Sequence, residues 1–510
     1  MTRHITILSI FVLLTLFAGF AASAESGAGV MEQNPFAAVS GKDTLRINIH
    51  DAVFMALENN PTVTIQRLAP DIYRSYAKEQ KSTYDPQIAA TGSQISSRNQ
   101  RFLGIQRQAV DLEQKRNLYN FGFTEVLPTG TTLTASSSLS STISNIYADQ
   151  YSGVVGFTVT QSLLQGFGTG VNLANIRKAN LDVEISKAEL KAVAEEVVSS
   201  VEKAYWEIYL TREEVNITKK SLELANRQLD ESQERVAVGK LPELELAAVR
   251  AEVATRNSVL IDAQSKYEQA CLNFLFLLNP KTQSTWAAVP LPLDKPFIPI
   301  DTLDTIAVHE ALGLKYRADL QQARFSLKKG DLDVVRTKNG LLPKLDLFIS
   351  LGKNSYAQTF KSGLPDVNSP FHDLTGTLTL GLPLTNQKAS ALFTRAKHTR
   401  QQMDLSVKNM ERMVQRDVRS AYIEVLRSKQ QITATQVTRA LQEKNLEAEQ
   451  EKFRVGKSTN FLVLRAQRDF IASQSDEAQS MVAYLAALIN LQLMEGTLLD
   501  RRGITSITEL

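Results

Sequence analysis

The chain has 510 residues, 43% hydrophobic and 22% charged, with a formal net charge of +3 and a mean hydropathy of −0.16. So small a charge gives no field that would favour nucleic acid as a partner. One cysteine and 24 glycines exclude disulfide-scaffold and collagen-like chains, and the apolar content excludes a disordered one. The composition is typical of a water-soluble globular protein of about three domains.

Residues 1–24 have the order of a secretory signal peptide. Arg3 and His4 precede an apolar run over residues 5–20, and Ala22-Ser23-Ala24 follows as a cleavage site. An uncleaved anchor is the alternative, which the shortness of the run disfavours. After residue 24 no apolar run reaches the ~18 residues that a membrane-spanning helix needs. The sequence therefore predicts an exported chain that has no membrane-spanning helix.

Residues 85–165 contain alternating patterns that predict β-strands. The core candidates are residues 87–97 and 151–161, where apolar side chains alternate with Ser, Thr or Gly. A further hairpin candidate, residues 119–140, turns at Leu127-Pro128-Thr129-Gly130. In an exported chain this alternation favours an outer-membrane barrel over soluble hairpins packed on a helical body. The pattern leaves open whether residues 119–140 extend the barrel or form an extracellular loop.

A long helical hairpin is predicted next, over residues 171–278. Its first helix has apolar residues at strict seven-residue intervals, which is typical of a coiled-coil seam. These are Val201, Ile208, Val215, Leu222, Leu229 and Val236. A second helical pattern covers residues 243–278, and the turn between the helices contains Val238-Gly239-Lys240.

The chain then repeats this organisation. Residues 279–304 contain five prolines and are predicted as a linker between a first repeat, residues 25–278, and a second, residues 305–494. The second repeat is predicted to have a helix, a β-hairpin at residues 342–384 and a helical hairpin at residues 388–494, with a C-terminal tail at 495–510. Its turn contains Val455-Gly456-Lys457, offset by 217 residues from the first, and Arg439 breaks its seven-residue series.

Counting strands forces an oligomer. One chain supplies four core strands, whereas a closed membrane barrel needs at least ~8 because an open edge cannot lie in lipid. Two chains would give eight strands and three would give twelve, and the composition does not choose between them.

In the order of these motifs the chain resembles the TolC family of outer membrane factors. The motifs are Ala56-Leu57-Glu58-Asn59-Asn60-Pro61, Asp85-Pro86, Gln161-Ser162-Leu163-Leu164-Gln165-Gly166-Phe167-Gly168, Arg317-Ala318-Asp319-Leu320, Leu342-Pro343, Leu382-Pro383-Leu384, the Ala-Tyr pairs at 204–205 and 421–422, and the two Val-Gly turns. The resemblance implies a mixed α/β membrane protein with two internal repeats. It would be a homotrimer, with a long antiparallel coiled-coil α-helical barrel in the periplasm and a transmembrane β-barrel of twelve strands in the outer membrane lipid of a Gram-negative cell.

The same resemblance gives the helical tips a partner. It implies that Val238, Gly239, Lys240, Val455, Gly456 and Lys457 contact a periplasmic adaptor, or membrane fusion protein, bound to an inner membrane pump. The duct would serve an efflux pump or a type I secretion system. A candidate periplasmic gate consists of Glu243, Glu245 and Arg465, with a Glu245 to Arg465 ion pair across neighbouring hairpins; the alternative is that these residues belong to a solvated helix face. Here the chain departs from the best known member, whose acidic residues after the second turn are replaced by Leu462 and Arg465.

The sequence gives little support for an enzyme, a metal site or a cofactor. Gly166-Phe167-Gly168-Thr169-Gly170 resembles a phosphate-binding loop, but it lacks the Gly-Lys-Ser/Thr signature and a parallel β-α-β unit. The histidines are scattered, and no nucleophile with a base can be assembled. The alternative function is a periplasmic or surface coiled-coil structural protein without a pore.

Overall fold

The computed structural model describes residues 44–103, 108–239, 242–298, 303–359 and 370–504. The predicted signal peptide at residues 1–24 lies outside these ranges. Among the described residues the helices are α1 Ile49–Asn59, α2 Pro61–Lys81, α3 Thr169–Asn172, α4 Ala174–Ala237, α5 Glu243–Leu278, α6 Gln283–Ala287, α7 Ile306–Tyr316, α8 Ala318–Asn339, α9 Gln387–Arg454, α10 Asn460–Glu495 and α11 Leu498–Arg501. The strands are β1 Thr44–Ile47, β2 Gln87–Leu103, β3 Gln108–Leu127, β4 Thr131–Ser144, β5 Gln150–Ser162, β6 Val289–Pro292, β7 Lys344–Ala357 and β8 His372–Gly381.

Two long helical hairpins, α4–α5 and α9–α10, form the elongated helical part of the molecule, which we call the shaft. Helix α4 has 64 residues and α9 has 68, so each is roughly 100 Å long. Each pairs with a 36-residue partner, α5 or α10, and the two hairpins pack through α4 against α10. The order across this part of the layer is therefore α5, α4, α10, α9. The seven-residue apolar series lies along the seam, where Val201, Ile208, Val418 and Val425 are buried.

Toward the sheet the layer has the order α2, α4, α8, α9. Ion pairs join the neighbouring helices here. Lys178 Nζ lies 2.8 Å from Asp333 Oδ1 between α4 and α8, and Arg324 Nη2 lies 2.9 Å from Glu411 Oε1 between α8 and α9. These part-buried pairs fix the register of helices whose packing surfaces are narrow.

The main sheet contains six antiparallel strands in the order β2-β3-β4-β5-β7-β8. One chain supplies six strands to this sheet and not only the four expected core strands, because the hairpin predicted at residues 119–140 is part of it. Its strands β3 and β4 lie between β2 and β5 and are longer than predicted. Among the described residues, the outer strands β2 and β8 each pair with another strand on one side only, so each has a free edge.

Three other expectations differ from the structure. The predicted helix from residue 171 is interrupted at Leu173, so that the short α3 precedes α4. The linker at 279–304 contains α6 and also β6, which pairs in parallel with β1. The tail from 495 contains α11, whose Leu498 and Leu499 are buried because they pack into the core around Tyr205.

That core lies midway along the shaft, where the linker contacts α4. The Tyr205 hydroxyl donates to Asp294 Oδ2 at 2.8 Å and accepts from the Asp294 N–H at 3.0 Å. Asp294 Oδ2 also accepts the Ile49 N–H at the start of α1. One carboxylate thus joins the linker, α1 and the first long helix.

Candidate functional site

The two Val-Gly turns have the same backbone geometry. Val238 and Val455 end their helices at φ −94° and −92°, and Gly239 and Gly456 follow at φ +69° and +74°. Gly239 N–H bonds Val236 O at 2.9 Å, and Gly456 N–H bonds Phe453 O at 3.1 Å. The second turn adds the Lys457 N–H bond to Lys452 O at 2.7 Å, which completes a Schellman motif.

These turns expose their residues rather than packing them. Val238 is 66% and Val455 61% exposed, and a Cβ added to either glycine would meet nothing within 4 Å. Lys457 is also exposed, whereas Lys240 lies outside the described residues. An exposed apolar side chain beside an open glycine is a small knob that a partner surface can cover. Both repeats therefore present the same exposed turn at the same end of the shaft.

Within one chain the two tips are joined to each other. The Arg235 guanidinium lies 4.6 Å from the centre of the Phe453 ring, in the last turns of α4 and α9. Farther from the tip, Gln228 Nε2 donates to Asn460 Oδ1, and Gln467 Nε2 donates to Gln228 Oε1 at 3.0 Å. All three amides are buried, so each would be costly to leave unpaired. Gln228, Asn460 and Gln467, which we call the amide clip, thus join the two hairpins.

The predicted gate residues lie at this end but do not meet within one chain. Glu243 and Glu245 are exposed in the first turn of α5, where the positive end of the helix dipole stabilises carboxylates. Arg465 is exposed on α10. No ion pair between Arg465 and either glutamate is present among the described residues of the chain. Helix α4 separates α5 from α10 in the layer, so a Glu245 to Arg465 contact requires another copy.

Sequence reasoning missed the residues that join the hairpins. The amide clip has no spacing signal, because its members are polar residues on two helices, α4 and α10, that only folding brings together. Arg439, which breaks the seven-residue series, did give a signal. Its Nε lies 3.0 Å from Glu477 Oε2 on α10, so an ion pair replaces the apolar contact at that seam position.

The free edges of the helical layer carry apolar side chains in stripes. Helix α5 exposes Leu272 and Phe276, and α9 exposes Ile423 and Leu441, which lie 18 residues and so five whole turns apart. Such stripes on helices of an otherwise polar shaft mark surfaces for other helices. One chain thus ends on both sides in surfaces that need a partner.

None of the described helices is both long and apolar enough to cross a bilayer. The described residues also contain no group of three or more metal-binding side chains.

The chain matches the family described as Outer membrane efflux protein over residues 53–279 and 311–497. It therefore belongs to the outer membrane efflux protein family, which agrees with the resemblance to outer membrane factors. The two matched segments fall one in each repeat. Members of this family are outer membrane channels and not enzymes, and the protein is located in the outer membrane.

Particular relatives support this membership. The chain is 21% identical to the probable efflux pump outer membrane protein TtgC of Pseudomonas putida over 447 residues, covering 86% of this chain and 80% of TtgC. It is 22% identical to the outer membrane efflux protein BepC of Brucella suis, covering 63% and 67% of the two chains. Among solved structures, the Campylobacter jejuni CmeC outer membrane channel is similar with a TM-score of 0.63, 16% identity and 94% coverage of both chains. The open-state MtrE outer membrane channel of Neisseria gonorrhoeae has a TM-score of 0.63 at 16% identity, with 88% of this chain and 89% of MtrE covered.

Proposed function

We propose that three copies of this chain form a passive duct for substrates that an inner membrane transporter delivers through a periplasmic adaptor. The observation that carries the proposal is the pair of unfinished surfaces in one chain: a sheet with two free edges and a helical layer with two apolar edge stripes. A free strand edge cannot lie in lipid, so the sheet must close by pairing with other copies. A closed ring of copies would also cover the stripes on α5 and α9.

The tips are proposed as the adaptor contact. The turns present Val238, Gly239, Val455, Gly456 and Lys457 at the end of the shaft opposite the sheet, in the same geometry in both repeats. Since the chain does not use these side chains for its own packing, we expect them to serve a partner. Lys240 belongs to the same proposed surface by its position in the sequence.

An efflux pump is the transporter that the relatives favour, since TtgC is named as an efflux pump protein. A type I secretion system would use the same duct and adaptor geometry, and the tips alone do not distinguish the two. The alternative of a coiled-coil structural protein without a pore predicts a chain that needs no detergent and conducts no ions. The duct predicts extraction only with detergent and ion conductance in a planar bilayer.

The test of the adaptor contact is the double variant Gly239→Asp and Gly456→Asp, assayed for efflux in cells that express the matching adaptor and pump. Nothing lies within 4 Å of a Cβ at either glycine, so a folded trimer should remain while transport is lost. The matched control is Gly503→Asp, which has φ +73° and equally open space but lies far from the tips. Normal efflux in the double variant at normal expression would refute the contact.

The gate is proposed as an ion-pair ring between copies that involves Glu243, Glu245 and Arg465. Exposed pairs contribute only ~0–1 kcal/mol each, so the threefold repetition is needed for closure. Arg465→Ala should raise the open probability of the channel in planar bilayers. If its conductance trace matches that of the wild type, these residues are not the gate.

A further inference from the structure

One face of the main sheet has an apolar row that crosses all six strands, and the same face carries Glu125 and Lys353 in the two neighbouring rows. Reading straight across the ladder, one row of directly paired residues is apolar in every strand: Ile88, Phe123, Ala135, Phe157, Leu351 and Leu374. The next row, one residue along, points to the other face and is polar in every strand: Gln87, Thr124, Thr134, Thr158, Ser350 and Thr375. Strands β3 and β4 supply Phe123, Ala135, Thr124 and Thr134 to these rows. The inserted hairpin therefore has the same two faces as the strands on either side of it.

Both strands of the inserted hairpin are long enough to cross a membrane. A tilted transmembrane strand needs about 9–11 residues, and β3 has 20 residues while β4 has 14. The flanking strand β5 has 13. The apolar face of β3 contains Tyr119, Phe121 and Phe123, of which Tyr119 and Phe121 are more than half exposed. An extracellular loop would have no reason to expose aromatic side chains on one face only.

The turn of this hairpin is fastened to the start of the shaft. Asn172 Nδ2 donates to Pro128 O at 3.1 Å and to Gly166 O at 2.8 Å, and the Gly168 N–H donates to Thr129 O at 3.0 Å. Gly130 has φ +88°, and a Cβ there would lie 2.3 Å from Gly166 O. The backbone of Gly166 and Gly168 thus lies directly against the hairpin turn. The turn of the hairpin lies at the shaft end of the sheet, where β2 begins and β5 ends.

We propose that the hairpin β3–β4 is part of the membrane wall, so that the trimer closes an eighteen-stranded barrel in which three chains each supply six strands. This inference rests on the proposed trimeric duct. The six-strand order alternates in direction, so β2 and β8 run antiparallel and can pair between copies without breaking the pattern. Barrel diameter grows roughly linearly with strand number, and barrels of 16–18 strands leave an aqueous channel. The exit is therefore about 1.5 times as wide as a twelve-stranded one.

On the polar face that would line this exit, β4 is uncharged and β3 contributes one charged residue to the ladder with β4, Arg116 opposite Thr142. Every residue on the polar face of β4 is a Ser or Thr: Thr132, Thr134, Ser136, Ser138, Ser140, Thr142 and Ser144. The hydroxyls pair across strands, with Ser140 Oγ 2.9 Å from Ser152 Oγ and Thr158 Oγ1 3.0 Å from Ser350 Oγ. Strand β4 therefore adds hydroxyls and no charge to the lining, and Arg116 is the charged residue that the hairpin adds within its ladder.

A thiol-accessibility scan of the full-length protein in liposomes tests the proposal. Thr134→Cys and Ala135→Cys are adjacent in β4 and on opposite faces. A membrane-impermeant, water-soluble maleimide should label Thr134→Cys and leave Ala135→Cys unlabelled. Burial raises the pKa of the Cys271 thiol to about 11, so the maleimide should not label the wild-type chain near neutral pH.

Thr158→Cys and Phe157→Cys in β5 make the scan decisive. Alternation in β5 with equal labelling of both β4 variants would place the hairpin outside the membrane wall and overturn the proposal. Absence of alternation in β5 as well would instead overturn the duct itself. Imaging the trimer in nanodiscs gives the count directly: eighteen strands in cross-section are expected, and twelve would contradict the inference.

Discussion

The two repeats of this chain are alike in the shaft and unlike in the sheet. Each has a long helix, a Val-Gly turn with φ near +70° and a 36-residue returning helix. The first repeat supplies four strands to the main sheet, however, and the second supplies two. Under the proposed function the shaft presents the same tip twice, which accounts for its matched lengths and turns. A barrel only has to close, and it accepts an additional antiparallel hairpin because two more strands preserve the alternation.

The largest effect is expected where the additional hairpin is fastened. Gly130→Ala places a Cβ against Gly166 O and forces an alanine to φ +88°, which we expect to cost on the order of 3 kcal/mol and to loosen the sheet. The matched variant Gly122→Ala lies in the same hairpin, and its Cβ would meet nothing within 4 Å. The yield of detergent-resistant trimer on unheated gels is the measurement. Equal yields for the two variants would show that the turn is not anchored.

The second prediction compares equivalent positions of the two repeats, Glu202 and Arg419. Glu202 is fully buried and accepts two bonds from Arg502, one of 2.8 Å, whereas Arg419 pairs with Glu310 at the surface. Arg502→Ala leaves a buried carboxylate without its partner and should cost about 3 kcal/mol. Arg419→Ala should cost ~0–1 kcal/mol. Thermal loss of helical circular dichroism measures both, and a similar midpoint shift in the two variants would contradict the asymmetry.

The third prediction concerns pH. Burial raises the pKa of Glu195 to about 7, and the Lys191 ammonium, 3.7 Å away, opposes this only in part. Between pH 4.5 and 7 the folded chain holds a proton that the unfolded chain releases, so stability falls as the pH rises through this window. Glu195→Gln should remove that dependence and stabilise the shaft at pH 8 by on the order of 2 kcal/mol. Its melting midpoint should therefore change less than that of the wild type between pH 5 and 8, and parallel curves would contradict the prediction.

The smallest effect is expected at the repeated tyrosines. Tyr205→Phe removes the hydroxyl that binds Asp294, at a cost of about 1–2 kcal/mol. Tyr422, its equivalent in the second repeat, packs its ring 5.5 Å from that of His309, and no hydrogen bond of its hydroxyl is present among the described residues. Tyr422→Phe should therefore stay within about 0.5 kcal/mol of the wild type. Equal losses for the two variants would show that the linker contact does not distinguish the repeats.

The shaft was the part of the fold that the sequence could predict, since a seven-residue apolar series specifies a long helix and its seam. The positive φ of Gly239 and Gly456 followed from their place after the last helical residue. Strand number could not be fixed in this way, because alternation at residues 119–140 shows two faces without showing which neighbours the strands pair with. The pairing depends on contacts such as Asn172 with Pro128, between residues 44 positions apart.

The candidate site, too, could be predicted from the sequence only in part. The tips were visible in the sequence because their motif occurs twice at one offset. The amide clip of Gln228, Asn460 and Gln467 was not, since isolated amides on two helices form no pattern until the hairpins pack. The gate prediction at Glu243, Glu245 and Arg465 concerns contacts between copies, which one chain does not contain.

The most direct test of the trimeric duct is electron cryomicroscopy of the full-length protein in lipid nanodiscs. We predict three copies in a closed ring, with β2 of one copy beside β8 of the next, α9 beside α5 of the neighbouring copy, and a continuous lumen from the sheet to the tips. A particle with an unclosed sheet, a different number of copies or no lumen would contradict this prediction.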